Sequence, residues 1–350
     1  MKLSTYFDAA ASTPLDPRVR DVIVEHLDLW GNNNSKHVAG HKAQKIIDDG
    51  LKTIAKVLNC NWEQLSITYS GTDSARRFIW ECRQNFGQEN LWASAVEHSS
   101  VNDEINPKNL FDPTDFSTID KAAKMIALMA ANSETGRLYP ADDLRKKFPE
   151  AFIFRDYSQS FAKGFLPDLP NCDAAVFTPQ KIYGPKHIGI LYLKKPELFP
   201  NLSKDSHTKS ASLVVGAAKA FEIWSEERET TNLKIKKWDD QIRQAIIQNI
   251  PNYKFHEAAA EKTPGIINVA FSGIRGSELM TILSKEEQIC ISTGSACTTD
   301  MMSPTPVISY IEKDPNWQYP IRISLHKFLT DADVSDFCEI LAHYVATLRN

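Results

Sequence analysis

Polar side chains with catalytic potential follow several apolar runs in this 350-residue sequence. Asp156 lies just after a run that ends at Phe154, and Lys181 follows the next run, Ala174–Phe177. Short apolar runs of this kind are typical of buried parallel strands, and ligands bind at the carboxyl ends of such strands. We therefore expect the carboxylate of Asp156 and the amine of Lys181 to face one pocket.

An acid, a lysine and a set of phosphate donors together match the requirements of pyridoxal-phosphate (PLP) chemistry. The lysine binds the aldehyde of the cofactor, and the acid keeps the ring nitrogen protonated so that the ring accepts electrons. The segment Tyr69–Ser74 precedes a predicted helix and offers hydroxyls and backbone N–H groups to a phosphate. Each feature alone is more often a helix cap or a solvated charge, so the hypothesis depends on their occurrence together.

One of the six cysteines differs from the others in its surroundings. Cys290 alternates with isoleucines and Cys338 lies on an apolar helical stripe, so these two, like most of the others, are predicted to be buried. Cys297 instead follows Gly-Ser-Ala and precedes Thr-Thr-Asp, which is typical of an exposed loop. An exposed thiol can ionise and attack as a nucleophile, and an incidental surface thiol is the alternative interpretation. The cysteines have no CxxC spacing, so the sequence predicts no metal site.

The composition argues against several classes of protein. Hydrophobic residues make up 42% of the chain and charged residues 24%, with a net charge of -4, which is ordinary for a soluble globular protein. The N-terminal segment lacks the apolar core of a signal peptide, and no stretch approaches the roughly 20 apolar residues of a membrane span. We expect a cytoplasmic protein that binds neither membranes nor nucleic acid directly.

Helical and strand-like segments alternate over the first two thirds of the chain, which predicts a mostly parallel sheet covered by helices on both faces. Helices are predicted after the Asp16 cap and from about Ala43. The predicted strands are Met125–Ala130, Ala151–Phe154, Ala174–Phe177 and Ile188–Leu193.

The last third of the chain predicts a smaller α+β domain. Residues 215–250 indicate two helices, and Thr330 caps a final helix. Strand-like runs cover Ile266–Phe271, Gln288–Ser292 and Ile321–Leu325. We predict a large domain over 14–215 and a small domain over 1–13 and 216–350.

Nine segments resemble, in order, the motifs of cysteine desulfurases in the NifS- and IscS-like branch of the class V aminotransferase superfamily. They are Tyr6–Pro14, Gly31–Ser35, Gly71–Ser74, Val96–His98, Asn132–Gly136, Asp156–Ser160, Gln180–Lys186, Ser292–Cys297 and Ile321–Leu325. The resemblance implies a PLP-dependent transferase of fold type I, α/β in class, whose large domain holds a mostly parallel central sheet. It also implies a homodimer, since the active sites of the family form at the subunit interface.

The resemblance assigns a cofactor contact to each matching residue. Lys181 would carry PLP and act as acid and base, and Asp156 would pair with the ring nitrogen. His98 would stack on the ring and move protons, while Gln159 and Asn132 would lie at the ring hydroxyl. The phosphate would be bound by Gly71, Thr72, Thr178, Gln180 and, from a partner subunit, Thr208.

The implied reaction removes sulfur from L-cysteine. Arg322 would hold the substrate carboxylate, because a guanidinium binds both oxygens in one plane, and Asn32 and Asn132 would also contact the substrate. The Cys297 thiolate would attack the substrate sulfur, giving L-alanine and a persulfide that passes to a sulfur-acceptor protein. The long spacing between Cys297 and Arg322 is similar to that of family members that reach acceptors without a dedicated activator protein.

Three features depart from the family pattern. Gln180 replaces the histidine before the PLP lysine, and Asp-Ser-His-Thr at 205–208 replaces an Arg-x-Gly-Thr segment. Both changes remove positive charge from the phosphate site, so we expect weaker retention of the cofactor, with His207 as a partial substitute. The longer C-terminal tail that docks the iron–sulfur scaffold protein in the family is also missing. Transfer RNA thiolation or DNA phosphorothioation is therefore as plausible a pathway as iron–sulfur cluster assembly.

Two other kinds of function stay open at this point. A cysteine or cystine lyase, a selenocysteine lyase or a transaminase could use the same fold, but none of these needs Cys297. A non-catalytic subunit of a sulfur pathway could keep the fold as a docking platform, but it would not need Lys181, Asp156, His98 or Arg322.

Overall fold

The computed structural model describes residues 2–203, 207–257, 259–294 and 303–349, which form two compact units. The large unit comprises Leu15–Ala130 and Tyr139–Arg228, and the small unit comprises Met1–Pro14, Ala131–Leu138 and Glu229–Asn350. These bounds differ from the predicted domains in three places. Pro14, predicted as the first residue of the large domain, belongs to the small unit. The chain passes from the large to the small unit within a helix, at 228/229 rather than 215/216, and the short segment 131–138 belongs to the small unit.

A seven-stranded sheet forms the centre of the large unit. Its strands are β1 (Leu65–Thr68), β2 (Leu91–Ser94), β3 (Leu110–Phe111), β4 (Met125–Ala127), β5 (Phe152–Asp156), β6 (Ala174–Phe177) and β7 (Gly189–Leu193). They lie in the order β1-β7-β6-β5-β4-β2-β3. Strands β2 to β6 pair in parallel, whereas β7 is antiparallel to both β1 and β6. The mostly parallel sheet predicted from the sequence is therefore confirmed.

Every second residue of these strands buries one face of the sheet under helix α3 (Gly71–Phe86), because side chains alternate between faces along a strand. The buried cluster includes Ala75, Phe78, Ile79 and Cys82 of α3 and, from the strands, Leu91, Ala93, Met125, Ala127, Phe154, Val176 and Leu191. This packing fixes the position of α3, whose first residue lies against Thr178, just beyond the carboxyl end of β6.

The other helices of the large unit are short, apart from α2 and the first part of α8. They are α1 (Pro17–Glu25), α2 (Val38–Leu58), α4 (Ser99–Asn102), α5 (Asp142–Lys147), α6 (Ser158–Ala162), α7 (Pro200–Ser203) and the start of α8 (Ala211–Asn249). Helix α1 begins as predicted, with the Asp16 carboxylate accepting a hydrogen bond from the Arg18 backbone N–H at 3.0 Å.

Helix α8 is a single helix of 39 residues, so the prediction of two helices over 215–250 is wrong. Its first half packs aromatic side chains into the large unit, where Trp224 stacks on Phe161 with centroids 3.8 Å apart. Its second half places Ile235, Trp238 and Ile242 in the core of the small unit. The buried side chains of the two halves of α8 therefore belong to different cores, so the helix has no single apolar periodicity in the sequence.

The small unit contains a three-stranded antiparallel sheet and three more helices. The strands are β8 (Tyr253–Phe255), β9 (Ile266–Phe271) and β10 (Ile321–Ser324), in the order β10-β9-β8, and the helices are α9 (Gly276–Glu286), α10 (Pro306–Ile311) and α11 (Asp331–Arg349). The run predicted as a strand at 288–292 instead makes isolated bridges, from Cys290 to Tyr6 and from Ser292 to Arg322.

Helix α11 closes the core of the small unit. It begins with the predicted cap, in which the Thr330 hydroxyl accepts from the Asp333 backbone N–H at 3.2 Å. Phe337 on this helix stacks on Phe7, with ring centroids 4.1 Å apart. Over the described part of the chain, no helix is long and apolar enough to cross a membrane.

Candidate active site

Three elements of the large unit bring hydroxyl groups together at the N-terminus of α3. Ser70 caps this helix by accepting a hydrogen bond from the Asp73 backbone N–H at 3.0 Å. Gly71 lies so close to Thr178 that a Cβ atom on it would stand 2.5 Å from the Thr178 hydroxyl oxygen. That oxygen lies 2.6 Å from the hydroxyl of Ser158, at the start of α6. A helix N-terminus beside two hydroxyls attracts anions, so this arrangement suits a phosphate group.

The acid, the lysine and the histidine singled out in the sequence lie near one another in the large unit. Asp156 is the last residue of β5, and its Oδ1 accepts a hydrogen bond from the Ser158 backbone N–H at 2.8 Å. Lys181 lies in a short turn after β6, and its backbone N–H bonds to the Thr178 carbonyl at 2.9 Å. The charges of Asp156 and Lys181 both act on the pKa of His98, so the three groups are within electrostatic reach of one another.

The imidazole of His98 is held in one orientation and is neutral at physiological pH. Its Nδ1 lies 3.1 Å from the Ser100 backbone nitrogen and 2.9 Å from the Ser100 hydroxyl oxygen, so Ser100 fixes the orientation of the ring. Burial lowers the pKa of His98 from its usual value of 6.5; the Asp156 carboxylate opposes this effect and the Lys181 ammonium adds to it. His98 can therefore take part in proton transfer without carrying a charge at neutral pH.

Three further predicted cofactor contacts lie on the same elements. Thr72 is the second residue of α3, and Gln159 is a buried residue of α6. Gln180, which replaces the family's histidine, is half-buried in the turn that ends at Lys181. Apart from Thr208, the predicted cofactor residues of the large unit thus lie at the start of α3, at the start of α6 and just after or at the ends of β2, β5 and β6.

Thr208 and Asn32 form a second group of predicted residues in the large unit. The Asn32 Nδ2 donates a hydrogen bond to the Thr208 hydroxyl at 3.1 Å. His207 lies against Tyr69, with ring centroids 4.8 Å apart, and Tyr69 directly precedes the cap of α3. The contact of Thr208 with the phosphate of a partner subunit, and the substitution of His207 for the missing arginine, stay predictions.

Two groups of the large unit, the buried Glu97 and the half-buried Ser158, were missed by the sequence reasoning. The Glu97 carboxylate accepts hydrogen bonds from the Ser94 hydroxyl at 2.6 Å and from the Met129 backbone N–H at 2.5 Å. Burial raises the pKa of Glu97 to about 7, against the effect of these two hydrogen bonds. The other is Ser158, which bonds to Thr178. Both residues lie inside segments that resemble motifs of the family, Val96–His98 and Asp156–Ser160. That resemblance could have identified them.

In the small unit, Arg322 on β10 is held by two partners and is only 1% exposed. Its Nη2 donates to Asp8 Oδ1 at 2.7 Å, and its Nη1 donates to the Ser133 carbonyl at 3.0 Å. Its Nε is buried and has no hydrogen-bond partner within the described residues. The guanidinium is therefore paired with Asp8, which the sequence reasoning did not identify. The binding of a substrate carboxylate by Arg322 stays a prediction.

Asn132 closes a turn of the small unit over residues 132–137. Its Oδ1 accepts hydrogen bonds from the backbone N–H groups of Glu134 and Thr135, both at 2.9 Å. The Thr135 hydroxyl in turn donates to Glu257 at 2.9 Å, and Arg137 forms an ion pair with the same carboxylate. The contacts of Asn132 with a ring hydroxyl and with the substrate stay predictions.

Cys297 lies outside the described residues, and the other five cysteines are poor nucleophiles. Cys82 and Cys172 are buried, as predicted, whereas Cys60, Cys290 and Cys338 are only half-buried. Burial raises the pKa of all five thiols, for example to about 11 in Cys60 and Cys338, so none of them ionises at neutral pH. In the described ranges, no group of His, Cys, Asp and Glu side chains could hold a metal ion.

Known proteins resemble this chain over nearly its whole length. Cysteine desulfurase IscS of Anaeromyxobacter dehalogenans is 27% identical, over 100% of this chain and 94% of its own length. The cysteine desulfurase of Mus musculus is 24% identical, over 98% of this chain and 82% of its own length.

Solved structures share the fold. A NifS-like protein matches with a TM-score of 0.84 at 23% identity, covering 98% of this chain and 99% of that one. A structure described as SspA in complex with cysteine matches with a TM-score of 0.75 at 22% identity, covering 93% and 100% of the two chains. The aminotransferase class-V family matches residues 5–337. The chain therefore belongs to the aminotransferase class-V family, as a NifS/IscS-like member.

Proposed function

We propose that this protein is a cysteine desulfurase that uses PLP to move sulfur from L-cysteine to its own Cys297. The observation that carries the proposal is the grouping of Lys181, Asp156 and His98 beside the hydroxyl-lined start of α3. In the reaction the C–S bond of L-cysteine breaks and an S–S bond to Cys297 forms. The proton of the thiol ends in the methyl group of L-alanine. The substrate's Cβ is reduced and the two sulfurs are oxidised to the same extent, so no external oxidant is needed.

The residues of the large unit fit PLP. A phosphate needs donors without a competing carboxylate, and Gly71, Thr178 and Ser158 supply backbone and hydroxyl groups in close packing. The ring nitrogen needs an acid, and Asp156 is held by a backbone N–H. When bound, PLP withdraws electrons from the substrate's Cα, which weakens the bonds next to it.

The remaining chemistry belongs to side chains of this chain. Lys181 would remove a proton from the substrate's Cα and return it later, which requires its amine to be neutral in part of the cycle. His98, neutral through burial, would accept a proton from the substrate at Nε2 and return it later, while its Nδ1–H donates to the Ser100 hydroxyl. Because its Nδ1 is fixed by Ser100, the ring cannot turn away when its protonation changes.

Arg322 would bind the substrate carboxylate through its Nε edge. Asp8 and the Ser133 carbonyl hold the other two nitrogens, which fixes the plane of the guanidinium before the substrate arrives. A pre-oriented donor loses less entropy on binding, so this support would raise the affinity for an α-carboxylate. Asn32 and Asn132 would contact the same substrate.

Cys297 would attack the sulfur of the substrate as a thiolate and carry it as a persulfide. The five described cysteines are unsuited to this role because burial disfavours their thiolates. The persulfide would then pass to an acceptor protein of an iron–sulfur, tRNA-thiolation or DNA-phosphorothioation pathway, and the enzyme would act as a cytoplasmic homodimer.

A lyase or a transaminase on the same fold is the competing function. A comparison of the wild type with two cysteine variants distinguishes these functions from a cysteine desulfurase. Purified protein and Cys297→Ala are incubated with L-cysteine, PLP and a thiol reductant, and alanine is measured. Cys290→Ala serves as the matched control, because Cys290 is half-buried and its thiol is not ionised at neutral pH.

We expect alanine from the wild type and from Cys290→Ala, with a loss of at least about 100-fold in Cys297→Ala. Equal turnover in all three proteins would exclude the persulfide mechanism. Pyruvate in place of alanine would identify a lyase. No product from any of them, together with no PLP bound, would favour a docking role.

A further inference from the structure

The Glu97 carboxylate is a buried group of the large unit that the proposed reaction does not use. Glu97 is 4% exposed and lies in the loop between β2 and α4. Its Oε1 accepts from the Ser94 hydroxyl at 2.6 Å and from the Met129 backbone N–H at 2.5 Å. Its Oε2 is buried and has no hydrogen-bond partner among the described residues. A buried carboxyl group that is only half satisfied costs free energy, so its presence calls for an explanation beyond stability.

The Met129 N–H lies just beyond the end of the pairing between β2 and β4. Successive backbone N–H groups of an extended strand point to opposite sides. Leu128 and Ala130 donate to carbonyls of β5, at 3.1 and 2.9 Å, so the N–H of Met129 points to the side of β2. The pairing of β2 with β4 ends at Ala93. The Glu97 carboxylate therefore takes the place of the carbonyl that a longer β2 would supply.

Through Met129, the loop of His98 is joined to the backbone of Asp156. His98 directly follows Glu97 in the chain. Ala130, next to Met129, donates to the Asp156 carbonyl at 2.9 Å. Asp156 is fixed independently, because β5 pairs with both β4 and β6, whereas the loop of His98 lies beyond the end of β2. The hydrogen bond from Met129 to Glu97 therefore sets the position of His98 relative to Asp156.

We infer that Glu97 is a positioning residue that holds His98 in place relative to Asp156 through its hydrogen bond with Met129. This inference rests on the proposed function, in which the PLP ring lies against His98 and its nitrogen pairs with Asp156. Two contacts with one rigid ring must match its dimensions, and a misplacement of about 1 Å can cost about 100-fold in rate. Glu97 then acts through the reach of its oxygen to Met129 and not through its charge.

The alternative is an electrostatic role, in which Glu97 acts through its charge. Burial holds the pKa of Glu97 at about 7 against its two hydrogen bonds; the charge of Asp156 raises this pKa and that of Arg155 lowers it. Two substitutions separate reach from charge. Glu97→Asp keeps the carboxylate but is one methylene shorter, so its oxygens no longer reach the Met129 N–H. Glu97→Gln keeps an acceptor oxygen in the same place and removes the charge.

Glu81→Asp is the matched control, because it shortens another buried carboxylate of the large unit. Glu81 is 5% exposed and accepts from Asn201 Nδ2 at 2.9 Å. It lies roughly 15 Å along α3 from the start of that helix at Gly71. For each protein we measure hydrogen exchange of the Met129 amide in the apoprotein, the Kd for PLP, and the rate of alanine formation per bound PLP.

We expect Glu97→Asp to speed exchange of the Met129 amide by about 10-fold, because the acceptor of this amide is withdrawn. The Kd for PLP should rise by about 10-fold, and the rate of alanine formation should fall by about 10- to 100-fold. Glu97→Gln and Glu81→Asp should stay within about threefold of the wild type in all three quantities. In a His98→Ala background, Glu97→Asp should slow alanine formation by less than about twofold more, since the position of His98 no longer matters.

Four results would overturn the inference. Unchanged exchange in Glu97→Asp would remove the link through Met129, and faster exchange with a wild-type Kd and rate would remove its effect on the site. A loss in Glu97→Gln as large as that in Glu97→Asp would favour the electrostatic role, and a full additional loss in the His98→Ala background would exclude an action through His98. The exchange measurement needs neither cofactor nor turnover. A wild type that binds no PLP or releases no alanine would instead refute the proposed function, and the positioning role with it.

Discussion

Gly71→Ala tests the packing at the start of α3, because the added methyl group meets one defined atom. The new Cβ would stand 2.5 Å from the Thr178 hydroxyl oxygen and 3.4 Å from Val176 Cγ1. The first distance is about 0.9 Å shorter than an ordinary carbon–oxygen contact, so the helix start or Thr178 must move. Rotation of Thr178 would break its 2.6 Å hydrogen bond to Ser158.

The cost to stability is small, and the cost to cofactor binding is larger. Overpacking typically costs about 1–3 kcal/mol, while replacing glycine by alanine in a helix returns up to about 1 kcal/mol. The net loss of stability is therefore about 0–3 kcal/mol. Loss of one hydrogen bond to a charged phosphate costs about 1.5–3 kcal/mol, which corresponds to a Kd for PLP raised by about 10- to 100-fold.

The assay is a titration of apoprotein with PLP, followed through the visible absorbance of the bound cofactor, with thermal unfolding measured in parallel. Gly50→Ala is the matched control. A Cβ on Gly50 would lie 2.8 Å from Val214 Cγ1, so the crowding is comparable but involves none of the hydroxyls near α3. We expect Gly50→Ala to lower the melting temperature and to keep the Kd for PLP within about twofold.

A double-mutant cycle identifies the clash as the cause. If the methyl group acts through the Thr178 hydroxyl, Gly71→Ala combined with Thr178→Ala should bind PLP no more weakly than Thr178→Ala alone. Wild-type affinity in Gly71→Ala, with an unchanged melting temperature, would refute the reasoning. Additive losses in the double variant would place the effect elsewhere in the helix.

Two more substitutions test charges described above. Burial holds the pKa of Glu97 at about 7, above its ordinary value of 4.5, so ionisation destabilises the folded protein as pH rises between these values, by about 3 kcal/mol in the limit. Glu97→Gln cannot ionise, so its stability relative to the wild type, measured by urea unfolding, should improve from pH 5 to pH 8; a difference independent of pH would contradict this. Arg322→Lys keeps the charge but cannot reach Asp8, the Ser133 carbonyl and a substrate at once, so KM for L-cysteine should rise by about 10- to 100-fold at unchanged PLP content. An unchanged KM would exclude Arg322 as the carboxylate ligand.

The parts of the fold that local patterns determine were predictable from the sequence. The runs Ala174–Phe177 and Ile266–Phe271 are strands with the predicted bounds, because both are buried at every position and are apolar apart from Asn268. The helices that follow Asp16 and Thr330 begin at the predicted caps, since a cap is a contact between near neighbours in the sequence.

Features that depend on distant contacts were not predictable. Helix α8 was divided in two because its buried side chains belong to different cores, represented by Trp224 and Trp238. Cys290 lies in an alternating pattern typical of a strand, yet its backbone makes an isolated bridge to Tyr6. Residues 131–138 have no local sequence pattern that would indicate that they belong to the small unit.

The residues of the candidate site also fall into a group that was predictable from the sequence and a group that was not. Lys181, Asp156 and His98 could be named from their order along the chain, since each follows an apolar run and fits a family motif. Their supports could not, because Ser158 and Asp8 bond to partners that are 20 and 314 residues away along the chain. Side-chain partners at such separations are fixed by tertiary packing and leave no periodic pattern.

The division of the chain between the two units has a consequence for folding on the ribosome. All segments of the large unit have been synthesised once residue 228 is added. In the small unit, Phe7 packs on Phe337 and Asp8 pairs with Arg322, and both partners are synthesised later. At about 5–20 residues per second, some 300 residues of further synthesis take roughly 15–65 seconds. Throughout that time the apolar N-terminal segment lacks its partners and is exposed to chaperones and proteases. Phe7 and Asp8 are therefore synthesised before the large unit and are among the last residues to reach their native contacts.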